Sequence, residues 1–290
     1  MKLTIQGLNK QYANGVHALL DVHLEIGTGM FGLLGPNGAG KSSLMRTLAT
    51  LQDADSGRVM LDDLDVLKDK DAVRKILGYL PQEFGVYPRT SATDLLHHLA
   101  VLKGFTAAKE RSAMVDYLLQ KVNLYEHRKK AVSSYSGGMR QRFGIAQSLI
   151  GTPKLVIVDE PTAGLDPGER NRFYNILSEI GEQVIVILST HIVQDVRELC
   201  VNMAIMDKGK VLYAGTTDDA LQLIRNKVFE KRVEKDSLEH YQRNYPVISN
   251  KLVGGKPQIH VYADAMPADG FTPAEETLED VFFAKLHELI

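Results

Sequence analysis

The residues that could do chemistry begin with one run, Gly35-Pro36-Asn37-Gly38-Ala39-Gly40-Lys41-Ser42-Ser43. It matches G-x-x-x-x-G-K-[ST], a loop whose backbone cradles phosphates. Glycines let consecutive N–H groups converge with no Cβ in the way, and the start of a helix adds its positive dipole end. In such a loop Lys41 reaches the β- and γ-phosphates, and the Ser42 hydroxyl ligates Mg²⁺. The same letters could form a tight glycine turn followed by a chance Lys-Ser. The setting argues for the cradle, because an apolar run from Met30 to Leu34 precedes it and a helical pattern from Ser42 to Leu51 follows.

Other candidates lie far away in the chain. Lys154 to Glu160 reads as an apolar strand ending in adjacent carboxylates, Asp159 and Glu160. Beside a phosphate loop, such a strand offers Asp159 to Mg²⁺ and sets the next acid near the γ-phosphate. His191 closes the next apolar run, Gln183–Leu188, after Ser189 and Thr190. A lone histidine there is ordinarily packing or surface. A crossover helix between the two strands, however, would bring both ends to the carboxyl edge of one parallel sheet. Gln82 follows Pro81 at another strand end, where an uncharged side chain can reach a metal or water, although alone it reads as a loop residue. Ser136-Gly137-Gly138-Met139-Arg140-Gln141 opens an apolar-periodic helix, as a second N–H-rich anion site or a flexible N-cap. Tyr12 is a sheet-edge packing residue or an aromatic platform for a purine.

The elements that must position these residues follow from patterning. Residues 1–34 are β-rich, with Leu3–Leu8 and His17–Ile26 flanking a turn at Asn14-Gly15. Asp53–Gly57 is a turn, while Arg58–Leu61 and Ile76–Leu80 read as strands. From Ser91 to Tyr135 the spacing turns helical (Leu95, Leu96, Leu99, Leu102, then Met114 to Val122), an inserted helical subdomain spanning about 91–150. Arg128-Lys129-Lys130 reads as a solvated loop. Pro167 suits the first turn of a helix. Met203–Met206 and Lys210–Tyr213 look like a hairpin turning at Lys208-Gly209. Beyond a boundary near 220 the character changes again. Lys227–Glu234 and Gln258–Tyr262 look like strands, Ser249–Pro257 is polar and glycine-containing, and Thr277–Asp280 predicts a capping box opening an amphipathic helix.

The bulk numbers narrow the function. A 290-residue chain with 44% hydrophobic and 24% charged residues has the composition of an ordinary globular protein. Its net charge of −2 supplies no basic field for nucleic acid, so none is expected as partner. Leu155–Val158 and Val184–Leu188 are too short to span a bilayer, and the N-terminus has no signal-peptide core. The single cysteine, Cys200, reads as a small buried hydrophobe and fits a reducing compartment.

Taken together, these stretches resemble the ATP-binding cassette family over about residues 1–220. Gly35–Ser43 is similar to its Walker A loop, Gln82 to its Q-loop, and Ser136–Gln141 to its signature sequence. Leu155–Glu160 resembles the Walker B strand, Gly164-Leu165-Asp166 the D-loop, His191 the switch histidine, and Tyr12 the aromatic that stacks on adenine. The family usually has leucine before Ser-Gly-Gly, whereas this chain has Tyr135, a residue expected to pack. The resemblance implies an α/β fold: a P-loop NTPase core (1–220) with an antiparallel β subdomain and an inserted helical subdomain, plus a small C-terminal α+β appendage (221–290). It implies ATP hydrolysis with Mg²⁺ in a homodimer. Lys41 and the loop backbone would hold phosphates, Ser42, Gln82 and Asp159 would arrange Mg²⁺, Glu160 would polarise the water, and His191 would contact the γ-phosphate. Ser136 and Gly138, with Gly137 between them, would act from across the interface, and Asp166 would link the two sites.

Two uses of such an ATPase compete. One is the nucleotide-binding subunit of a transporter whose membrane-spanning permease subunits are separate chains, cytoplasmic and peripheral on the inner face of the cell membrane. The segment Glu275–Phe283 resembles the closing stretch of cassettes serving drug and lipid exporters. The other is a cassette ATPase acting on ribosomes or DNA. A single cassette, a short path from Ser42 to Ser136 without sustained heptads, and near-neutral charge favour the transporter.

Overall fold

The computed structural model describes residues 1–85 and 87–290. The chain opens with β1 (Lys2–Gln11) and β2 (His17–Gly27), then enters the centre of the molecule on β3 (Gly29–Leu34). The glycine loop leads into α1 (Lys41–Leu48). β4 (Ser56–Leu61) and β5 (Leu64–Asp65) complete an antiparallel sheet in the order β2-β1-β4-β5. Next come α2 (Lys70–Ile76) and β6 (Leu77–Leu80). The helices α3 (Ala92–Leu102) and α4 (Ala108–Lys121) form the inserted region, and α5 (Gly137–Ser148) returns the chain to β7 (Leu155–Asp159). α6 (Pro167–Gly181), β8 (Ile185–Thr190), α7 (Val193–Leu199), β9 (Asn202–Asp207) and β10 (Lys210–Thr216) finish the central sheet, ordered β10-β9-β3-β8-β7-β6. Past α8 (Thr217–Gln222), the strands β11 (Val228–Arg232), β12 (Val247–Val253), β13 (Lys256–Tyr262) and β14 (Thr272–Pro273) make a third sheet. It is ordered β12-β13-β11-β14 and accompanied by α9 (Leu238–Asn244) and α10 (Leu278–Leu286).

The central strands read as unbroken apolar runs because both faces of their sheet are covered. Every residue of β7 and β8 is buried. Alternate side chains serve different cores, as a period of two requires. Ile157 and Ile187 pack with Leu3, Ile5, Leu24 and Leu44 toward the antiparallel sheet. Val156, Val158 and Leu188 pack with Phe143, Phe173 and Val196 toward the helices. β3, β7 and β8 are parallel, with Leu34 opposite Thr190 and Asp159 opposite Ser189. The carboxyl ends of all three strands therefore share one edge, where ligands bind in open α/β sheets.

Several local readings change. Ile76 ends α2 instead of starting a strand, and that helix left little trace because only Val73 among its residues is buried. All of the polar stretch 249–257 except its turn is strand: β12 and β13 pair about Gly254-Gly255, both at positive φ. The exposed second half of β12 explains its loop-like letters. β9 and β10 form the expected hairpin, but β9 also pairs in parallel with β3. Cys200 is buried, as expected, and burial pushes its thiol up to about 12. α10 carries the anticipated capping box and packs against α7, α8 and β9.

Candidate active site

The loop between β3 and α1 is shaped by its glycines. Gly38 and Gly40 sit at φ +83° and +103°, which L side chains rarely adopt, and a Cβ on Gly40 would lie 2.3 Å from the Ala18 carbonyl oxygen. The loop folds back on its own lysine. Lys41 Nζ donates to the carbonyls of Gly35 (2.6 Å) and Pro36 (3.1 Å) and lies 3.8 Å from Glu160 Oε1. Burial lowers the Lys41 pKa, while the Glu160 and Asp159 charges oppose that shift.

Glu160 follows β7 in a left-handed conformation, φ +46°, unusual for a residue with a Cβ. Its N–H donates to Ser189 O at 2.8 Å, tying it to the end of β8. Its Oε2 lies 2.9 Å from His191 Nδ1, a contact that needs the proton on Nδ1 when Glu160 is ionised. The preceding Asp159 is buried, and burial holds its carboxyl above the usual range. Its Oδ1 has no hydrogen-bond partner among the described residues, an orphaned acceptor that fits a cation or a cation-bound water.

These groups border one cavity of about 620 Å³. Tyr12, Gln82, Glu160, His191 and every residue from Pro36 to Ser43 line it, with Val16, Ala18 and Ala163. Gly35, directly after β3, and Asp159, the last residue of β7, are not part of that lining. Tyr12 enters through its own network, its hydroxyl donating to Gln52 Oε1 (3.0 Å) and pairing with Ser43 Oγ (3.0 Å). Gln52, which also donates to Ser43 O and Thr47 Oγ1, went unnoticed in the sequence because its role exists only in the fold.

Ser136, Gly137, Gly138 and Asp166 are not brought to this cavity. Ser136 caps α5 by accepting from Met139 N (3.2 Å), and Asp166 caps α6 by accepting from Glu169 N (2.9 Å). Ser136 and Gly137 are exposed. A Cβ at Gly138 would meet Glu169 Oε2 at 2.3 Å, so that side chain would have to shift to admit one. Glu169 in turn pairs with Arg142 (3.2 Å) and Arg172 (2.6 Å). Tyr135 packs as anticipated. It is buried, edge-on to Phe143, and its hydroxyl donates to His127 O at 2.9 Å.

Comparison with known proteins agrees with this geometry. A family model described as ABC transporter matches residues 19–163. The uncharacterized ABC transporter ATP-binding protein YxlF of Bacillus subtilis (strain 168) is 31% identical over 301 residues, covering 98% of this chain and 99% of the relative. The daunorubicin/doxorubicin resistance ATP-binding protein DrrA of Streptomyces peucetius is 34% identical over 229 residues, 78% of this chain and 69% of the relative. Among solved structures, an ATP-binding subunit of an ABC transporter superposes with a TM-score of 0.68 at 25% identity, covering 77% of this chain and 93% of that one. A bacterial ABC transporter cassette solved as a dimer gives 0.67 at 24%, covering 74% and 98%. The fold, the phosphate loop facing the carboxylates, and relatives matched along nearly the whole chain lead to one conclusion: this chain belongs to the ABC transporter family, as an ATP-binding and ATP-hydrolysing subunit.

Proposed function

We propose that the chain hydrolyses ATP at the cavity above α1 and that Glu160 activates the attacking water. The observation that carries this reading is the convergence of Lys41, Glu160 and His191 on the phosphate loop, with contacts of 3.8 and 2.9 Å. The loop amides and Lys41 bind the β- and γ-phosphates. Lys41 then exchanges loop carbonyls for phosphate oxygens, whose negative charge offsets the cost of burying its ammonium. Tyr12 stacks on the adenine. Ser42, Asp159 and Gln82 hold Mg²⁺, which neutralises phosphate charge when bound. No group of three or more His, Cys, Asp or Glu side chains could hold a metal among the described residues. This site instead combines one carboxylate, a hydroxyl and an amide with the phosphates themselves. Glu160 accepts the water proton, and His191, held beside it through Nδ1, contacts the γ-phosphate.

Ser136, Gly137 and Gly138 lie away from the cavity of their own chain, which supports a homodimer in which they close the partner's site while Asp166 bridges the two. The isolated chain is then mostly monomeric and a slow ATPase. No helix among the described residues is long and apolar enough to cross a membrane. A relative named as an ATP-binding protein of an ABC transporter supports separate permease subunits as the pathway, with the cassette peripheral on the cytoplasmic face of the membrane. A resistance protein among the relatives supports export as the direction. We also propose 1–220 as the ATPase domain and 221–290 as an accessory domain.

Replacing Glu160 by Gln tests the central role. ATP and Mg²⁺ binding should persist, turnover should fall at least a hundredfold, and the protein should elute as an ATP-bound dimer in size-exclusion chromatography. Turnover at the wild-type rate removes Glu160 from this role.

A further inference from the structure

One carboxylate outside the cavity is placed to control it. Asp195, on α7, is fully buried, and its charge is met by three hydroxyls. Oδ1 accepts from Tyr174 (2.5 Å); Oδ2 accepts from Thr162 (2.5 Å) and Thr190 (3.0 Å). These donors come from three different segments. Thr162 lies two residues after Glu160, Thr190 directly precedes His191, and Tyr174 belongs to α6, the helix that Asp166 caps. Thr190 Oγ1 also accepts the Ile192 N–H (3.0 Å), so its hydroxyl fixes the backbone on both sides of His191.

A buried polar cluster could simply satisfy its own groups. What singles this one out is the conformation it borders. Glu160 is held at φ +46°, a backbone state that persists only when the surroundings over-determine it. Two ties cross between the Glu160 and His191 segments near the cavity, the Glu160 N–H to Ser189 O and the Glu160–His191 contact. Both depend on the two segments keeping one separation. Thr162 and Thr190, joined through the same Oδ2 atom, clamp that separation from beneath. We infer that Asp195 is a positioning residue for hydrolysis, setting the register of the Glu160 and His191 segments without touching nucleotide. The inference rests on the proposed roles of Glu160 and His191.

The clamp predicts an effect on turnover separate from binding. Thr162→Val and Thr190→Val keep side-chain volume and each remove one donor to Asp195, Thr190→Val also removing the acceptor of the Ile192 N–H. In the full-length protein each should lower kcat about ten- to a hundredfold, the scale of a small misplacement of catalytic groups, with the Kd for ATP within about twofold of wild type. Thr162→Ser and Thr190→Ser, which restore the hydroxyl, should recover most of the turnover. In a Glu160→Gln background, where the positioned group is already lost, Thr190→Val should reduce residual turnover no further. Valine variants that melt like wild type with unchanged kcat overturn the inference, as do serine variants no better than valine. A parallel loss of ATP binding also overturns it, since that marks a general structural role. If Glu160→Gln itself retains wild-type turnover, the reading of the site fails first, and the Asp195 inference falls with it. If Glu160→Gln is inactive while the valine variants are normal, only the Asp195 inference fails.

Discussion

Glu160 and Tyr12 show how single residues acquire meaning from their surroundings. As letters, Asp159 and Glu160 are equivalent carboxylates, yet the chain turns left-handed between them. One is buried with an orphaned oxygen, and the other faces Lys41 and His191. The adjacency, the apolar strand and the different tasks expected of the two acids were legible in sequence; the left-handed backbone at Glu160 that sets them apart was not. Tyr12 has a proposed role for its ring, stacking on adenine, and an observed one for its hydroxyl, and mutations should separate them. Tyr12→Ala removes the ring and should weaken ATP affinity about tenfold, the scale of one base stacked on an aromatic. Tyr12→Phe keeps the ring and should leave the Kd within about twofold. It also removes the hydroxyl bonded to Gln52 and Ser43, at a stability cost of about 1 kcal/mol. Titration calorimetry and thermal melts read the two effects independently. Equal ATP affinity for wild type and Tyr12→Ala would return the ring to sheet-edge packing. Asp195 is the opposite case, since a helical Asp within Val193–Leu199 carries no sequence signal; only the fold sets it against three hydroxyls from elsewhere.

Among the elements, α10 is attached partly through charge. Its start was legible, since Thr-x-x-Asp predicts the capping box and the structure has both of its hydrogen bonds. What the sequence did not reveal is that the capping carboxylate is shared. Asp280 Oδ1 lies 2.8 Å from His260 Nδ1 on β13, and Glu230 on β11 lies 3.6 Å from the other ring nitrogen. The hydrogen bond to Asp280 raises the His260 pKa, against burial, with the Asp280 and Glu230 charges assisting and Lys251 opposing. Burial pushes the Asp280 carboxyl up, but hydrogen bonds from His260 and Thr277 outweigh it and leave its pKa lowered. The signs define a window. A raised histidine stabilises fully below the ordinary 6.5 and loses that contribution as pH climbs through its folded value. A lowered carboxyl stabilises above the ordinary 3.8 and loses its contribution as pH falls through its folded value. The pair is therefore strongest between these two ordinary values. His260→Gln should lower Tm by roughly 2–4 °C near pH 5.5, the effect of about 1 kcal/mol, and by less at pH 9. A difference between wild type and variant that does not change with pH would rule out an ionic tie. The strand β12 was missed for a related reason. Its exposed half has no apolar face to alternate, so the pattern that marks a half-buried strand was absent.

At the scale of the whole molecule, the sequence motifs divide into two sets in space. Lys41, Gln82, Glu160 and His191 meet at one cavity, while Ser136 to Gly138 and Asp166 cap α5 and α6 elsewhere. The order of motifs foretold the parallel-sheet edge that gathers the first set, because strand ends in an α/β fold must converge there. The separation of the second set came from the family resemblance, which puts Ser136 and Gly138 across an interface; the order of motifs alone does not carry it. In the proposed homodimer the chain would hold both halves of a composite site, and two-fold symmetry would let each subunit complete the other. Mixing two damaged proteins tests this claim most directly. Lys41→Ala breaks the phosphate side, and Ser136→Arg breaks the signature side; each alone should be nearly inactive. A mixed dimer contains one doubly broken site and one site with both halves intact. Random mixing at equal amounts should therefore restore about one quarter of wild-type ATPase activity, since half the dimers are mixed and half their sites are sound. Activity that stays at the level of the two parents, with mixed dimers shown to form, would contradict a site shared between subunits that fire independently.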